Sequence, residues 1–178
     1  VNVYNFSKPI DGNPSLISFD DVTTMFHEFG HTLHGLFANQ QYESLSGTAV
    51  PRDFVEFPSQ INEHAALDPT VLKNYAIHYK TKQVIPQELI DKIKKADTFN
   101  KGYVVTELLA AATLDMAWHN VEKESDFKPT LEFEKEALTK YGLLVNDVPT
   151  RYHSPYFAHI WGGGYSAGYY AYTWSKTL

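Results

Sequence analysis

The stretch TMFHEFGHTLHGLF, residues 24–37, sets three histidines and a glutamate inside a run that otherwise reads as one apolar helix face. Val22, Met25, Phe26, Phe29, Leu33, Leu36 and Phe37 recur at helical spacing. Ser18 and Asp21 of SFDD form a capping box at the start. A helix is therefore predicted from Ser18 to about Asn39. Polar groups on such a face are costly to bury unless something satisfies them. Helix residues four apart share a face, about 5–6 Å apart at Cβ. His27 and His31 can thus turn nitrogens to one ion, and zinc accepts such ligands. Glu28 can then face a water on that metal. The H-E-x-x-H pattern supplies two ligands and a general base within one helical turn and a half. Gly30 is costly inside a helix unless another chain segment approaches the backbone there. His34 shares the histidine face, but a fourth ligand would close the site, so it is assigned a supporting hydrogen bond or a place facing a solvent-filled cleft.

A catalytic zinc keeps three protein ligands and one open position. The segment RDFVEFPSQINEH, residues 52–64, offers Glu56 and Glu63, with Asp53 and His64 beside them. Glu56 is favoured because Phe54, Val55 and Phe57 around it suggest a buried face, where an unpaired carboxylate would be costly. Asp53 is read either as a residue orienting a ligand or as the cap of a helix over 53–67, bent or delayed by Pro58. His64, His78 and His119 are read as ordinary histidines.

Apolar residues make up 43% of the 178-residue chain and aromatics 15%, a folding composition rather than a disordered one. The net charge of −6 comes without a basic patch, which argues against nucleic acid as a partner. There are no cysteines, so disulfides and thiolate metal sites are excluded and a reducing, cytoplasmic setting is expected. No apolar run approaches the roughly 20 residues of a membrane span, and no membrane partner is expected. Both ends read as cut from a longer chain. Further helices are expected over 69–82, 86–96, 99–124 and 129–140, with the Ala- and Leu-rich 99–124 segment central to the core. A loop is expected over 142–164, then a last helix from Ser166 to the end. Strand signals are weak, SLSGTAV (44–50) being the best as a segment to pair with a partner outside this chain, so the class is mostly α with little or no sheet.

The segment HIWGGGYSAGYYAYTWS, residues 159–175, carries a second signal. Gly162, Gly163 and Gly164 allow a loop that moves or approaches a ligand closely. On a helix after it, Tyr165, Tyr169 and Tyr172 would share a face, with Tyr170 and Trp174 left to the core. A core aromatic stripe has the same spacing, but the triple glycine and the upstream metal motif favour a functional face. A phenol and an imidazole suit the stabilisation of the oxyanion formed when a peptide carbonyl is attacked.

Read together, HEFGH, GTAVPRDFVEFPSQINEH, FNKGY and FAHIWGGGYSAGYYAY resemble the thimet oligopeptidase family of zinc peptidases, in particular its bacterial peptidyl-dipeptidase (dipeptidyl carboxypeptidase) branch. The resemblance runs along essentially the whole chain. It implies a helical, gluzincin-type zincin region with the zinc motif on a central helix and one zinc ion held by His27, His31 and Glu56. Glu28 matches the catalytic glutamate. His159 and Tyr172, with Tyr165 and Tyr169, match the glycine-rich tyrosine segment that closes over substrate, to which Gly163 and Gly164 belong. Ala65 stands where a tryptophan is expected. The implied organisation is one piece of a catalytic domain: a leading loop (1–17), zinc-binding helices (18–67), a helical core (68–141) and a Gly/Tyr-rich substrate loop and helix (142–178). The implied partners are short peptides and the rest of the parent chain. The implied activity is release of C-terminal dipeptides, with internal cutting as the alternative. A silent segment that only folds or binds peptide is the alternative from another class. Arg52 and Arg151 are the candidates for gripping a C-terminal carboxylate.

Overall fold

Ser18 opens the first helix as the sequence predicts. Its hydroxyl accepts from the Asp21 N–H at 3.1 Å, and the Asp21 carboxylate accepts from the Ser18 N–H at 3.0 Å. The computed structural model describes residues 1–178 and is built from helices: α1 (Phe19–Leu36), α2 (Phe57–Glu63), α3 (Pro69–Tyr75), α4 (Gln87–Thr98), α5 (Lys101–His119), α6 (Thr130–Lys140), α7 (Ala158–Trp161) and α8 (Ala171–Ser175). It contains no sheet; the only extended pairings are the isolated bridges Ile77–Val84 and Val145–Val148. The mostly-α class is therefore observed. No helix is long and apolar enough to cross a membrane. The chain forms two compact units, residues 1–96 and 97–178, each with its own buried residues.

In the first unit α1 lies directly against α2. A Cβ on Gly30 would stand 2.6 Å from Ser59 Cα and 2.7 Å from the Pro58 carbonyl oxygen. The glycine is thus what allows backbone to meet backbone, the close approach the sequence called for. Asn62 reinforces the contact by donating to the Phe26 carbonyl at 2.7 Å. Val22, Val55, Ala66, Leu72 and Ile90 form the buried apolar set of this unit.

Two expectations are corrected in this unit, and the weak strand signal is resolved. The second helix starts at Phe57 with Glu56 as its N-cap residue, so Asp53 does not cap it. Pro58 has no N–H to give and is tolerated only in a first turn, so the start moves to it. The third helix ends at Tyr75 rather than 82, because the chain reverses through Lys82 (φ +61°) and pairs His78 N–H with the Gln83 carbonyl and Ile85 N–H with the Ala76 carbonyl. SLSGTAV forms 3₁₀ turns at Glu43–Leu45 and Gly47–Ala49 rather than a strand, with Gly47 at φ +56°.

In the second unit α5 is the buried spine. Ala110, Ala111, Ala112 and Leu114 sit on it at or below 8% exposure, and the small alanines let neighbours approach on two sides. Ala111 and Ala112 meet Phe157, Ile160 and Tyr169, while Ala110 and Leu114 meet Ala137 and Leu138 of α6. The helix ends at His119, short of the expected 124. The 142–164 loop holds a 3₁₀ turn at Ser154–Tyr156 and the short α7. The last helix starts at Ala171, not Ser166, because residues 166–170 form a turn with Ala167 at φ +52°. Tyr170 and Trp174, expected in the core, are 39% and 52% exposed.

Candidate metal centre and tyrosine segment

α1 places His27 and His31 on one face, and the ring centroids stand 5.0 Å apart. The turn before α2 brings Glu56 up to them. Glu56 Oε2 lies 3.2 Å from His27 Nε2 and 3.2 Å from His31 Nε2. The three side chains present one ligand atom each, all within 4.8 Å of one another. Glu56 is only 3% exposed, so its apolar neighbours do mark a buried face. A buried carboxylate beside two imidazole nitrogens is a donor set that suits zinc in its charge, its N/O composition and its number.

The groups behind these three fix their orientation. His27 Nδ1 donates to Glu63 Oε1 at 2.7 Å, leaving Nε2 to face Glu56. Such a carboxylate behind an imidazole sets its tautomer and raises its basicity. Ser59 Oγ lies 3.0 Å from Glu56 Oε2 and 2.8 Å from the Glu56 carbonyl oxygen, tying the carboxylate to α2. Burial alone would lower the His27 pKa, but its bonds to Glu56 and Glu63 outweigh burial and lift it to about 9. A cation taking the site competes with protons for these ligand atoms. Glu28 is half-buried in the same helical turn, and its carboxylate makes no hydrogen bond or ion pair to the protein.

His34 stands outside the ligand group. Its ring meets Phe54 edge-on at 6.4 Å, and burial followed by the nearby His31 charge lowers its pKa. Its buried Nδ1 has no hydrogen-bond partner, so the supporting bond expected of it is not seen there. Glu63 was legible as a possible ligand. Its place seven residues after Glu56, two turns along α2, is the signal that it stands near the ligand face.

In the second unit the residues read as a substrate segment gather into one aromatic cluster. The His159 ring lies 5.4 Å from Tyr169, 6.1 Å from Tyr165 and 6.2 Å from Tyr172. Tyr165 and Tyr172 stack at 5.2 Å. The expected shared helix is replaced by a turn, yet the three tyrosines still meet. Gly163 is needed in the loop, because a Cβ there would stand 2.9 Å from His159 Cα. Gly164 takes φ +81°, and the Tyr165 N–H then returns to the His159 carbonyl at 2.9 Å. Tyr169 is buried among Ala111, Ala112, Phe157 and Ile160, and burial pushes its phenol well above the usual tyrosine range. Arg151 is held by Glu107 at 2.8 Å, an ion pair it would have to share with any ligand carboxylate.

Two buried carboxylates of this unit were not singled out by sequence reasoning. Asp115 of α5 accepts from the Ala167 and Tyr169 N–H groups at 2.9 and 2.8 Å. Glu134 of α6 accepts from the Ser154 N–H and from His153 Nδ1, both at 2.6 Å. The available signal was a lone acid inside an apolar helical run, as in LLAAATLDMAW.

Comparison with known proteins places these observations in a family. The model of peptidase family M3 matches residues 1–178. The chain is 57% identical over 177 residues to a dipeptidyl carboxypeptidase of Salmonella typhimurium, covering 99% of this chain and 26% of that protein. It is 55% identical over 177 residues to the protein of the same name from Escherichia coli, with the same coverage. Oligopeptidase A of Escherichia coli is 35% identical over 179 residues, covering 98% of this chain and 26% of that protein. The chain thus spans about a quarter of the length of these relatives.

Proposed function

Since the chain belongs to peptidase family M3, we propose that it is the metal-bearing part of a zinc peptidase that hydrolyses short peptides and releases C-terminal dipeptides. The observation that carries this reading is the convergence of His27, His31 and Glu56, with Glu28 one residue from the first histidine. Relatives named dipeptidyl carboxypeptidase at over half identity support the dipeptide product.

His27, His31 and Glu56 hold the ion in this reading, and Glu63 and Ser59 keep the first and third of them in register. When bound, zinc polarises the scissile carbonyl and acidifies the water beside it. Glu28 takes the proton of the attacking water on its carboxylate and returns it to the leaving amine nitrogen. His159 and Tyr172 donate to the oxygen that gains charge as the carbonyl becomes tetrahedral. Tyr165, Tyr169 and the backbone at Gly163 and Gly164 border the peptide.

The test uses the full-length protein loaded with zinc and a blocked peptide of five or six residues. Free dipeptides taken from the C-terminal end, with the blocked remnant as the one other product and no cleavage when the peptide's C-terminus is amidated, support the proposal. Mixed fragments, insensitive to the amide, replace it with internal cutting. Glu28→Gln keeps zinc and lowers turnover by roughly 100-fold or more. Unchanged turnover in that variant removes Glu28 from the chemistry.

A further inference from the structure

Asp115 is fully buried on α5 and lies outside the metal cluster. A carboxylate there is costly unless donors surround it. Its Oδ1 accepts from the Ala167 N–H at 2.9 Å and its Oδ2 from the Tyr169 N–H at 2.8 Å. His119 Nδ1, one helical turn on, lies 2.9 Å from the same Oδ1. Both amides belong to the 166–170 turn, where no helical ladder is available to take them. Ala167 there has φ +52°, a left-handed conformation that a side chain disfavours and that the surroundings must hold. The turn joins Tyr165 to Tyr172, whose rings stack at 5.2 Å beside His159. The sequence pattern alone favours a helix from Ser166; the structure has a turn there, with the Asp115 carboxylate bonded to its Ala167 and Tyr169 amides.

We propose that Asp115 is a positioning residue for peptide hydrolysis: it clamps the 166–170 turn through two backbone N–H groups and so sets where the Tyr165 and Tyr172 phenols point relative to His159. This rests on the reading of Tyr172 as an oxyanion donor. Asp115 reaches no substrate itself and acts through the turn. A donor displaced by about 1 Å can lower a rate by about 100-fold while leaving binding nearly intact.

The experiment is Asp115→Asn in the full-length zinc enzyme. The amide keeps the side chain's size but sets an NH₂ group against one of the two backbone donors. Amide hydrogen exchange is read at Ala167 and Tyr169, and steady-state kinetics are run beside Tyr172→Phe and the double variant. In the wild type both amides exchange as slowly as those of α5, although they lie outside any helix. In Asp115→Asn they exchange at least about tenfold faster, kcat falls at least about tenfold with KM within about twofold, zinc content is unchanged, and the double variant is no slower than Tyr172→Phe. Fast exchange of the two amides in the wild type overturns the proposal whether or not the variant folds. A folded variant that is less heat-stable but keeps its kcat also overturns it, as do losses that add in the double variant. If Tyr172→Phe alone is neutral while Asp115→Asn loses turnover, the oxyanion reading of Tyr172 fails and the clamp stands, acting through Tyr165.

Discussion

Replacing Gly30 by alanine sets two effects of opposite sign against each other. In an isolated helix the change stabilises, by about 1 kcal/mol. Here the new Cβ would stand 2.6 Å from Ser59 Cα, 2.7 Å from the Pro58 carbonyl oxygen and 3.0 Å from Asn62 Cβ. Two of those atoms are backbone and cannot swing away. Carbon atoms in contact need at least about 3.5 Å, so α2 must retreat from α1 by about 1 Å. Overpacking of this kind costs about 1–3 kcal/mol, which exceeds the helix gain. The displacement also reaches the metal ligands. Glu56 sits at the start of α2, bonded to Ser59, and meets both imidazoles at 3.2 Å. Moving it by about 1 Å spoils the three-way convergence, and we expect zinc affinity to fall by about 10- to 100-fold, the size typical of a disturbed ligand support. Chelator competition measures the affinity and a melting curve of the metal-free protein measures the stability. Wild-type zinc affinity together with equal or higher Tm would refute the reasoning, since helix propensity alone predicts that outcome.

Glu63→Gln keeps the side chain's size but removes the charge behind His27 Nδ1, and zinc affinity should drop about 10- to 100-fold by the same chelator assay with the helices intact by circular dichroism. Tyr172→Phe should lower kcat by roughly 100-fold with little change in KM if its hydroxyl meets only the developing oxyanion, and should be neutral if the ring merely fills space. For Glu134, burial alone would raise the pKa, but the bonds from His153 and the Ser154 N–H hold it below the usual carboxylate value. Its stabilising effect is therefore fully present above the unfolded value of about 4.3 and is lost as pH falls through the folded pKa. The wild-type advantage in Tm over Glu134→Gln should shrink on acidification from pH 6 to about 3, and a constant difference across that range would contradict the linkage.

The parts legible in the sequence are those decided locally. The capping box at Ser18 and Asp21 and the helical spacing behind it needed no partner, and α1 forms as read. Gly30 announced a close neighbour because nothing within the helix explains a glycine there. Glu56 was distinguishable from Glu63 only by its apolar flanks, and the structure buries it accordingly. The illegible parts depend on distant groups. The segment expected to be helical from Ser166 is a turn up to Tyr170, bonded through its Ala167 and Tyr169 amides to a carboxylate about 50 residues upstream in the chain, and no local propensity reports such a bond. Tyr170 and Trp174 were read as core by spacing on that helix, and both are exposed.

The central claim is a zinc site made by His27, His31 and Glu56. It is tested most directly by anomalous scattering at the zinc edge from crystals of the zinc-loaded full-length protein. The expected result is one strong peak about 2.0–2.2 Å from His27 Nε2, His31 Nε2 and a Glu56 carboxylate oxygen, with Glu63 behind His27 rather than on the metal. A peak bound by Glu63 or Asp53 in place of Glu56, or no peak at these residues under saturating zinc, would contradict it.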